Sequence, residues 1–390
     1  MMAISKRIHN FISAYSNAIL RYYDHALYLF FAPILGKHFF ANDHAMYIKI
    51  FSIYAMGYFA KPLGGILLGY IGDRFGRKQA LHLSLLCVAI VTCCIGLLPS
   101  YHQIGIIASF LLLIFRILQG IFMGGSVGMV YIFENSTTYK NFSNSIFCLS
   151  YSIGIFLASL SSDFLYWRIP FLLQSLFALI IVIYSSNIDE THIPTDCKES
   201  LTTTLKSHTT PIIKAFLISG SLSGLYKFFF VFMCTYLTQK NINGPWNCKL
   251  STLFLLMSMI VTPFISLWID IIGHAKKIML LLYLWLIVFL WLYVYDPLNL
   301  NILIISGLIV SALEVIGAPI INTFFDKSHR CLGTSTAYSA ASFVFSSTVP
   351  LLSIMFEKWV GNEKGMFIYP TILSVLGIMG ILLPILFRRI

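Results

Sequence analysis

The sequence predicts an all-α integral membrane protein of twelve transmembrane helices in two six-helix halves, and three observations carry that expectation. Of 390 residues, 58% are hydrophobic and only 11% are Asp, Glu, Lys or Arg, less than half the charged share of a typical soluble domain. Twelve apolar runs follow one another along the chain, and they divide six and six around one polar stretch. Twelve spans of ~20 residues use about 240 residues and leave the rest for loops and tails. One or two anchors would leave most of the apolar surface facing water, and a soluble fold is ruled out.

In order, the first six spans are expected near Ala18 to Phe40, Ile50 to Ile71, Ala80 to Leu98, Gly105 to Phe133, Ile146 to Leu165 and Ile169 to Ser186. The polar stretch from Asn187 to Thr210 carries Asp189, Glu190, Asp196, Lys198, Glu199 and a Ser/Thr-rich run. Six further spans are expected near Ile212 to Tyr236, Thr252 to Ile272, Ile278 to Val294, Ile302 to Phe324, Ser335 to Phe356 and Met366 to Phe387. The domain division is therefore residues 1–187, a linker loop at 188–210, and residues 211–390.

The formal charge of +11 does not form a nucleic-acid stripe, because the bases sit singly or in pairs between apolar runs. Lys and Arg concentrate in short cytoplasmic loops. With the N-terminus inside, fifteen bases fall on the cytoplasmic side, from Lys6 and Arg7 to Arg388 and Arg389, and seven fall outside: Lys37, Lys49, Arg168, Lys240, Lys249, Lys358 and Lys364. Both termini and the 188–210 loop are thus expected in the cytoplasm. The first apolar run follows Lys6 and Arg7 with no small-residue cleavage site at the right distance, so it is expected to be a retained span. Eight Cys occur without C-x-x-C or a His/Cys cluster, so neither a metal site nor a disulfide frame is expected. Trp246, Trp359 and Tyr369, near span ends, are expected in interfacial belts.

An internal repeat supports two halves. Gly72-Asp73-Arg74-Phe75-Gly76-Arg77-Lys78 lies between spans two and three, and Asp270-Ile271-Ile272-Gly273-His274-Ala275-Lys276-Lys277 between spans eight and nine. Each has Asp, Gly three residues on, then bases, as duplicated halves require. In the first copy, small residues at Gly65, Gly69 and Gly72 permit close helix approach, Gly76 permits a tight turn, and Asp73 beside Arg74, Arg77 and Lys78 can form a charge cluster. A topology anchor needs no Asp and no ordered glycines, so this stretch is expected to act as a conformational latch.

That stretch resembles the signature loop of the major facilitator superfamily. The wider run from Phe59-Ala60-Lys61-Pro62-Leu63-Gly64-Gly65 through Leu81 is similar to the form found in the metabolite:proton symporter family, which includes proline/betaine, α-ketoglutarate, citrate and shikimate carriers. Tyr22-Tyr23-Asp24-His25-Ala26-Leu27-Tyr28 resembles that family's first span, and Arg116-Ile117-Leu118-Gln119-Gly120 through Gly124-Gly125 its fourth. Tyr166-Trp167-Arg168-Ile169-Pro170-Phe171 and Asp189-Glu190-Thr191 resemble the two ends of its sixth span, and Arg330-Cys331-Leu332-Gly333 with Pro350 its pattern between spans ten and eleven. Five positions depart from it: Arg21 replaces an acid, Lys61 an Arg, Ser126 a Glu, and Ser346-Ser347 a Gly pair. The resemblance implies a major facilitator fold and secondary active transport of a small organic acid or zwitterionic osmolyte, with proton-coupled symport by alternating access. It further implies a monomer in a plasma membrane, the bacterial inner membrane, with no cofactor.

A charge inside a span costs about 2.5 to 3.5 kcal/mol on insertion scales and is a functional candidate by default. The set is Asp24, Lys61, Arg116, Glu134, Asp163, Lys227, Asp270 and Glu314, of which Asp24, Lys61, Arg116, Lys227 and Glu314 are the candidates for substrate binding or proton coupling and Glu134 and Asp163 lie near span ends. Arg116 can hold a carboxylate bidentately or neutralise Asp24, and Asp24 can carry a proton or pair with Arg21. Tyr22, Tyr23 and Tyr28 flank Asp24 and could offer aromatic faces to a quaternary ammonium. A membrane enzyme would need a nucleophile or metal constellation such as G-x-S-x-G or H-E-x-x-H, and neither occurs. A transporter-derived sensor or receptor is the alternative reading, since the lost acids would suit it.

Overall fold

The computed structural model describes the chain outside residues 1, 41–45, 137, 165, 189, 191–204, 206, 234–235, 237–246, 294, 296–298 and 387–390; side chains are also left out at 2–7, 47–48, 51, 159, 163–164, 187, 247–255, 300 and 384–386. The described residues are all-helical, with no strand among them. The helices are α1 (Met2–Phe39), α2 (Met46–Arg74), α3 (Arg77–Leu97), the single turn α4 (Tyr101–Ile104), α5 (Ile106–Met123), α6 (Val127–Asn135), α7 (Lys140–Phe164) and α8 (Arg168–Tyr184). After the linker come α9 (Thr209–Lys227), α10 (Asn247–Ile272), α11 (Ala275–Leu292), α12 (Leu300–Asn322), α13 (Arg330–Ala341), α14 (Val349–Val360) and α15 (Ile368–Leu386). Most of the 188–210 stretch lies outside the described residues.

Eight helical stretches among the described residues are long and apolar enough to cross a membrane, and two more apolar helices are shorter. Uninterrupted helix is what an apolar run must adopt in lipid, where no water satisfies an open backbone group. The interruptions are therefore informative. The fourth run breaks at Gly124–Ser126, between α5 and α6, and π-helical turns follow α9 (Phe228–Phe232) and α13 (Ser342–Ser346). Such turns leave a backbone carbonyl without its usual partner. Tyr369 serves one of them: it is buried and donates to the Phe345 carbonyl at 3.0 Å, which corrects the expectation of an interfacial belt. Trp359 is 79% exposed, and Trp246 lies outside the described residues.

The chain forms two compact units. The first comprises Met1–Asn135, Phe147–Thr204 and Lys327–Ser339. Its core joins Tyr28, Phe31, Leu35 and Phe39 of α1 to Ile50 of α2, Ile95 of α3, Leu112 of α5, Trp167 and Phe171. Glycines set the approach of α2 to α5, because a Cβ on Gly64 would strike the Ile121 carbonyl and one on Gly120 the Gly57 carbonyl. Backbone-to-backbone contact of this kind replaces the hydrophobic drive that lipid cannot supply. The second unit comprises Ser136–Ile146, Leu205–Asp326 and Ala340–Ile390. Its packing includes Tyr293 stacked on Phe367 at 4.3 Å between centroids and Leu373 over Gly224. Each unit thus contains the start of one helix, α13 or α7, whose remainder belongs to the other.

Candidate functional site

The two copies of the internal repeat do the same thing in the two units. In the first, the Asp73 carboxylate accepts the Cys331 and Leu332 backbone N–H groups at 3.0 and 2.7 Å, so a fixed charge closes the first turn of α13. In the second, Asp270 accepts the Asn141 and Phe142 backbone N–H groups at 3.2 and 2.9 Å and the Asn141 side-chain amide at 2.7 Å, closing the first turn of α7. The first amides of a helix lack intrahelical partners and carry the positive end of its dipole, so a carboxylate there is well placed. Both Asp residues cap the second and third residues of a helix that opens with a base, Arg330 or Lys140.

The first copy is the more elaborate. Buried Arg77 meets Asp73 at 3.5 Å, donates to the Lys327 carbonyl at 2.6 Å and pairs with Glu134. Glu134 also accepts from Arg330 at 2.6 Å, so its place at the end of α6 is used for interhelical pairing. Gly69 and Gly72 are spaces filled by Leu332 and Cys331: a Cβ on Gly69 would lie 2.7 Å from the Leu332 Cα, and one on Gly72 2.5 Å from the Cys331 Sγ. Gly76 turns the chain at φ 114, a value that side chains rarely adopt, and Gly273 repeats it at φ 76. The Glu190 carboxylate occupies the space beside Gly76 and accepts the Arg77 and Lys78 N–H groups at 2.8 and 3.0 Å. Lys78 reaches the Ser186 carbonyl. Arg74 stands apart, exposed and stacked on Tyr70 and Phe75.

A second constellation lies within the helices of the first unit. Asp24, fully buried on α1, accepts from the Thr92 hydroxyl at 2.5 Å and from the Gln119 amide at 3.1 and 3.2 Å. The other end of that amide, Gln119 Oε1, accepts Arg116 Nη1 at 2.6 Å. Asp24 and Arg116 are therefore joined through Gln119, one helical turn from Arg116 on α5, rather than directly. The Arg116 guanidinium lies 4.0 Å above the Tyr28 ring and 5.5 Å from that of Tyr54, and its Nε is buried without a hydrogen-bond partner. Beside it, Tyr54, Tyr58 and His25 share hydrogen bonds of 2.7 to 3.2 Å, and Lys61 Nζ sits 3.8 Å over the Tyr58 ring.

This arrangement decides between several readings of the sequence. Arg21 does not pair with Asp24. It donates to the Met123 and Gly125 carbonyls at 2.8 and 3.1 Å, the groups freed where α5 breaks, and Ser339 takes the Gly124 carbonyl. Ser126 hydrogen-bonds to Ser335 through its N–H at 3.0 Å. The three tyrosines flanking Asp24 do not form a box: Tyr22 meets Tyr151, Tyr23 bonds to Ser161 at 2.8 Å, and the face of Tyr28 is taken by Arg116. Lys227, next to the π-helical turn, and Glu314, in mid-α12, are in the second unit, whereas Asp24, Lys61 and Arg116 are in the first. The Asp163 side chain lies outside the described residues.

Thr92, Gln119, Tyr54, Tyr58 and His25 are not site candidates on the sequence alone, His25 and Gln119 standing there only within longer motifs, because none is charged at neutral pH by default. Spacing alone offered a sign of them: Gln119 follows Arg116 by three residues and Tyr54, Tyr58 and Lys61 are separated by four and three, so each set shares a helix face.

A family model described as "Major Facilitator Superfamily" matches residues 14–247. The chain is 26% identical to a "Putative proline/betaine transporter" of Staphylococcus haemolyticus (strain JCSC1435), over 94% of this chain and 85% of that one. It is 24% identical to the "Inner membrane metabolite transport protein YhjE" of Escherichia coli (strain K12), over 93% and 90%. Among solved structures, the proton:xylose symporter XylE superposes with a TM-score of 0.70 at 16% identity, over 98% of this chain and 96% of that one; this likeness shows the fold alone.

Proposed function

The chain belongs to the major facilitator superfamily and is a transporter of metabolites rather than an enzyme, and from that premise we propose that it is a secondary active transporter of a small organic acid or zwitterionic osmolyte, working by alternating access as a proton symporter. The proposal includes twelve spans, both termini in the cytoplasm, and a monomer in the plasma membrane of a bacterial cell; the inner membrane named for the Escherichia coli relative supports the last of these.

The observation that carries the substrate class is the Arg116 guanidinium. It is 3% exposed, held by Gln119 and the Tyr28 face, and keeps a buried Nε–H without a partner. A planar fork of donors with a free edge is suited to a carboxylate. Asp24 is a positioning residue: through Gln119 it fixes the amide orientation, and the amide fixes the guanidinium. The face of Tyr28 already holds Arg116 and that of Tyr58 holds Lys61, which supports recognition of the substrate's carboxylate rather than of a quaternary ammonium.

The paired caps support alternating access. Asp73 and Asp270 each hold the start of a helix from the opposite sequence half. In the proposed cycle these caps close on the cytoplasmic side and release as the carrier opens there, so their strength sets the balance of two states. Uptake of labelled betaine, proline and a panel of small organic acids into vesicles, with and without an imposed pH gradient, tests the proposal. Binding without uptake or exchange would make it a receptor.

A further inference from the structure

We infer that the hydroxyls of Tyr54 and Tyr58 and the imidazole of His25, with Lys61 beside them, form a second half of the Arg116 site. This hydrogen-bonding ledge takes an oxygen-bearing group of the substrate, a hydroxyl or a second carboxylate, while Arg116 takes its first carboxylate. The inference rests on the transport reading above and narrows its substrate to an organic acid with a second oxygen group.

The ledge stands at the depth of Arg116. Gly57 of α2 packs against the Arg116 backbone, where a Cβ would lie 3.1 Å from the carbonyl oxygen, and Tyr54 and Tyr58 flank that glycine in the helix. The Tyr54 ring is 5.5 Å from the guanidinium and stacks on Tyr28 at 5.9 Å. Its hydroxyl therefore lies within a ring's length of that distance, a gap that a small acid with two oxygen groups fills.

The ledge also faces protein rather than lipid. Met56, Phe59, Leu63 and Leu67 form the exposed apolar stripe of α2. Tyr54, Tyr58 and Lys61 repeat at the same helical spacing two residues out of step, which puts them on the opposite face. That face continues into Gly65, where a Cβ would strike Ser339. Yet Tyr54, His25 and Lys61 keep part of their surface open. Polar groups with open surface on the inward face of a span mark a path for water or substrate.

The chemistry of the ledge selects oxygen over ammonium. A quaternary ammonium needs open aromatic faces, but Tyr28 carries Arg116 at 4.0 Å and Tyr58 carries Lys61 at 3.8 Å. Tyr54 is stacked on Tyr28 and meets the Tyr58 ring at 5.2 Å in a T-shaped contact. What these rings gather is oxygen and nitrogen: Tyr54, Tyr58 and His25 lie at 2.7, 3.1 and 3.2 Å from one another. A hydroxyl donates or accepts, and a neutral imidazole carries its proton on either nitrogen, so the same three groups serve a carboxylate or a hydroxyl. Charge points the same way. Arg116 and Lys61 stand against one carboxylate, Asp24, which Thr92 and Gln119 already occupy, and an anionic substrate restores the balance.

Equilibrium binding of malate, succinate, lactate and propionate to the purified protein tests the ledge, because these acids carry a second carboxylate, a hydroxyl, both or neither. Wild type should bind malate most tightly and propionate least. Tyr54→Phe, Tyr58→Phe and His25→Phe keep a ring and lose the polar atom, and each should lower the malate-to-propionate preference by about threefold to tenfold. His25→Gln, which keeps a hydrogen-bonding group, should retain more of that preference than His25→Phe. An unchanged preference in the variants that fold overturns the ledge, as does an equal loss for all four acids. Should the variants fail to fold, the wild-type order decides: propionate bound as tightly as malate, or none of the four acids bound, overturns it equally. Counterflow in proteoliposomes separates this inference from the reading beneath it. Malate bound with the expected variant effects but never exchanged overturns transport and leaves the ledge, whereas exchange of betaine or proline with none of the four acids bound overturns the ledge and leaves transport.

Discussion

Replacing Asp73 with Asn should loosen the first turn of α13 while leaving the fold intact. The carboxylate accepts two backbone N–H groups, from Cys331 at 3.0 Å and Leu332 at 2.7 Å. Asn keeps one acceptor oxygen and turns an amide donor toward the other N–H. A hydrogen bond to a charged group contributes about 1.5 to 3 kcal/mol, and a charge at a helix start about 0.3 to 1 kcal/mol more. The retained bond offsets part of this, so the net loss is about 1 to 2 kcal/mol, a factor of roughly 5 to 30 in the opening equilibrium. Cys331 is a built-in reporter, because its thiol is fully buried against Gly72. In a variant that keeps Cys331 alone of the eight cysteines, thiol labelling should speed up by about that factor on Asp73→Asn. Equal labelling rates in two equally well-folded proteins would refute the capping argument.

The other predictions follow from the same geometry. Asp270→Asn should speed amide exchange at Asn141 and Phe142 by a comparable factor, read by hydrogen exchange, since the bonds are of the same kind. Arg116→Lys keeps the charge but loses the fork, and should weaken binding of carboxylate substrates by about 1 to 3 kcal/mol; normal affinity in Arg116→Gln would remove this residue from the site. Gly64→Val and Gly120→Val should abolish the monodisperse peak in size-exclusion chromatography, because each side chain would collide with a backbone carbonyl rather than with a movable side chain. Reporter fusions at residue 390 and near Thr203 should both report cytoplasm, and an external signal at either point defeats the proposed topology.

The helices were legible because lipid imposes one rule on every span. An apolar run such as Ala80 to Leu98 has no alternative to helix, and α3 runs from Arg77 to Leu97. The cap at Asp73 was legible for a different reason: Asp73, Gly76 and Arg77 combine a turn, a charge and a close approach within five residues, and the copy at Asp270 repeats the pattern. Arg21 was not legible. Its partners are carbonyls exposed by the break at Gly124–Ser126, and a Gly-Gly pair in a span does not say whether the helix bends or stops. The partnership of Asp24 was equally hidden, because charge alone pointed to Arg21 or Arg116. The residue that joins it to Arg116, Gln119, is neutral, and only the packing of α1, α3 and α5 brings the amide between them.

Counterflow and gradient-driven uptake in proteoliposomes bear most directly on the central claim that this chain moves a carboxylate-bearing metabolite through Arg116. Wild type should exchange at least one labelled carboxylate-bearing metabolite, zwitterionic or acidic, and concentrate it under an acid exterior, and Arg116→Lys should exchange that compound only at higher concentrations. Saturable binding to wild type with no exchange or uptake of the bound compound would contradict the account.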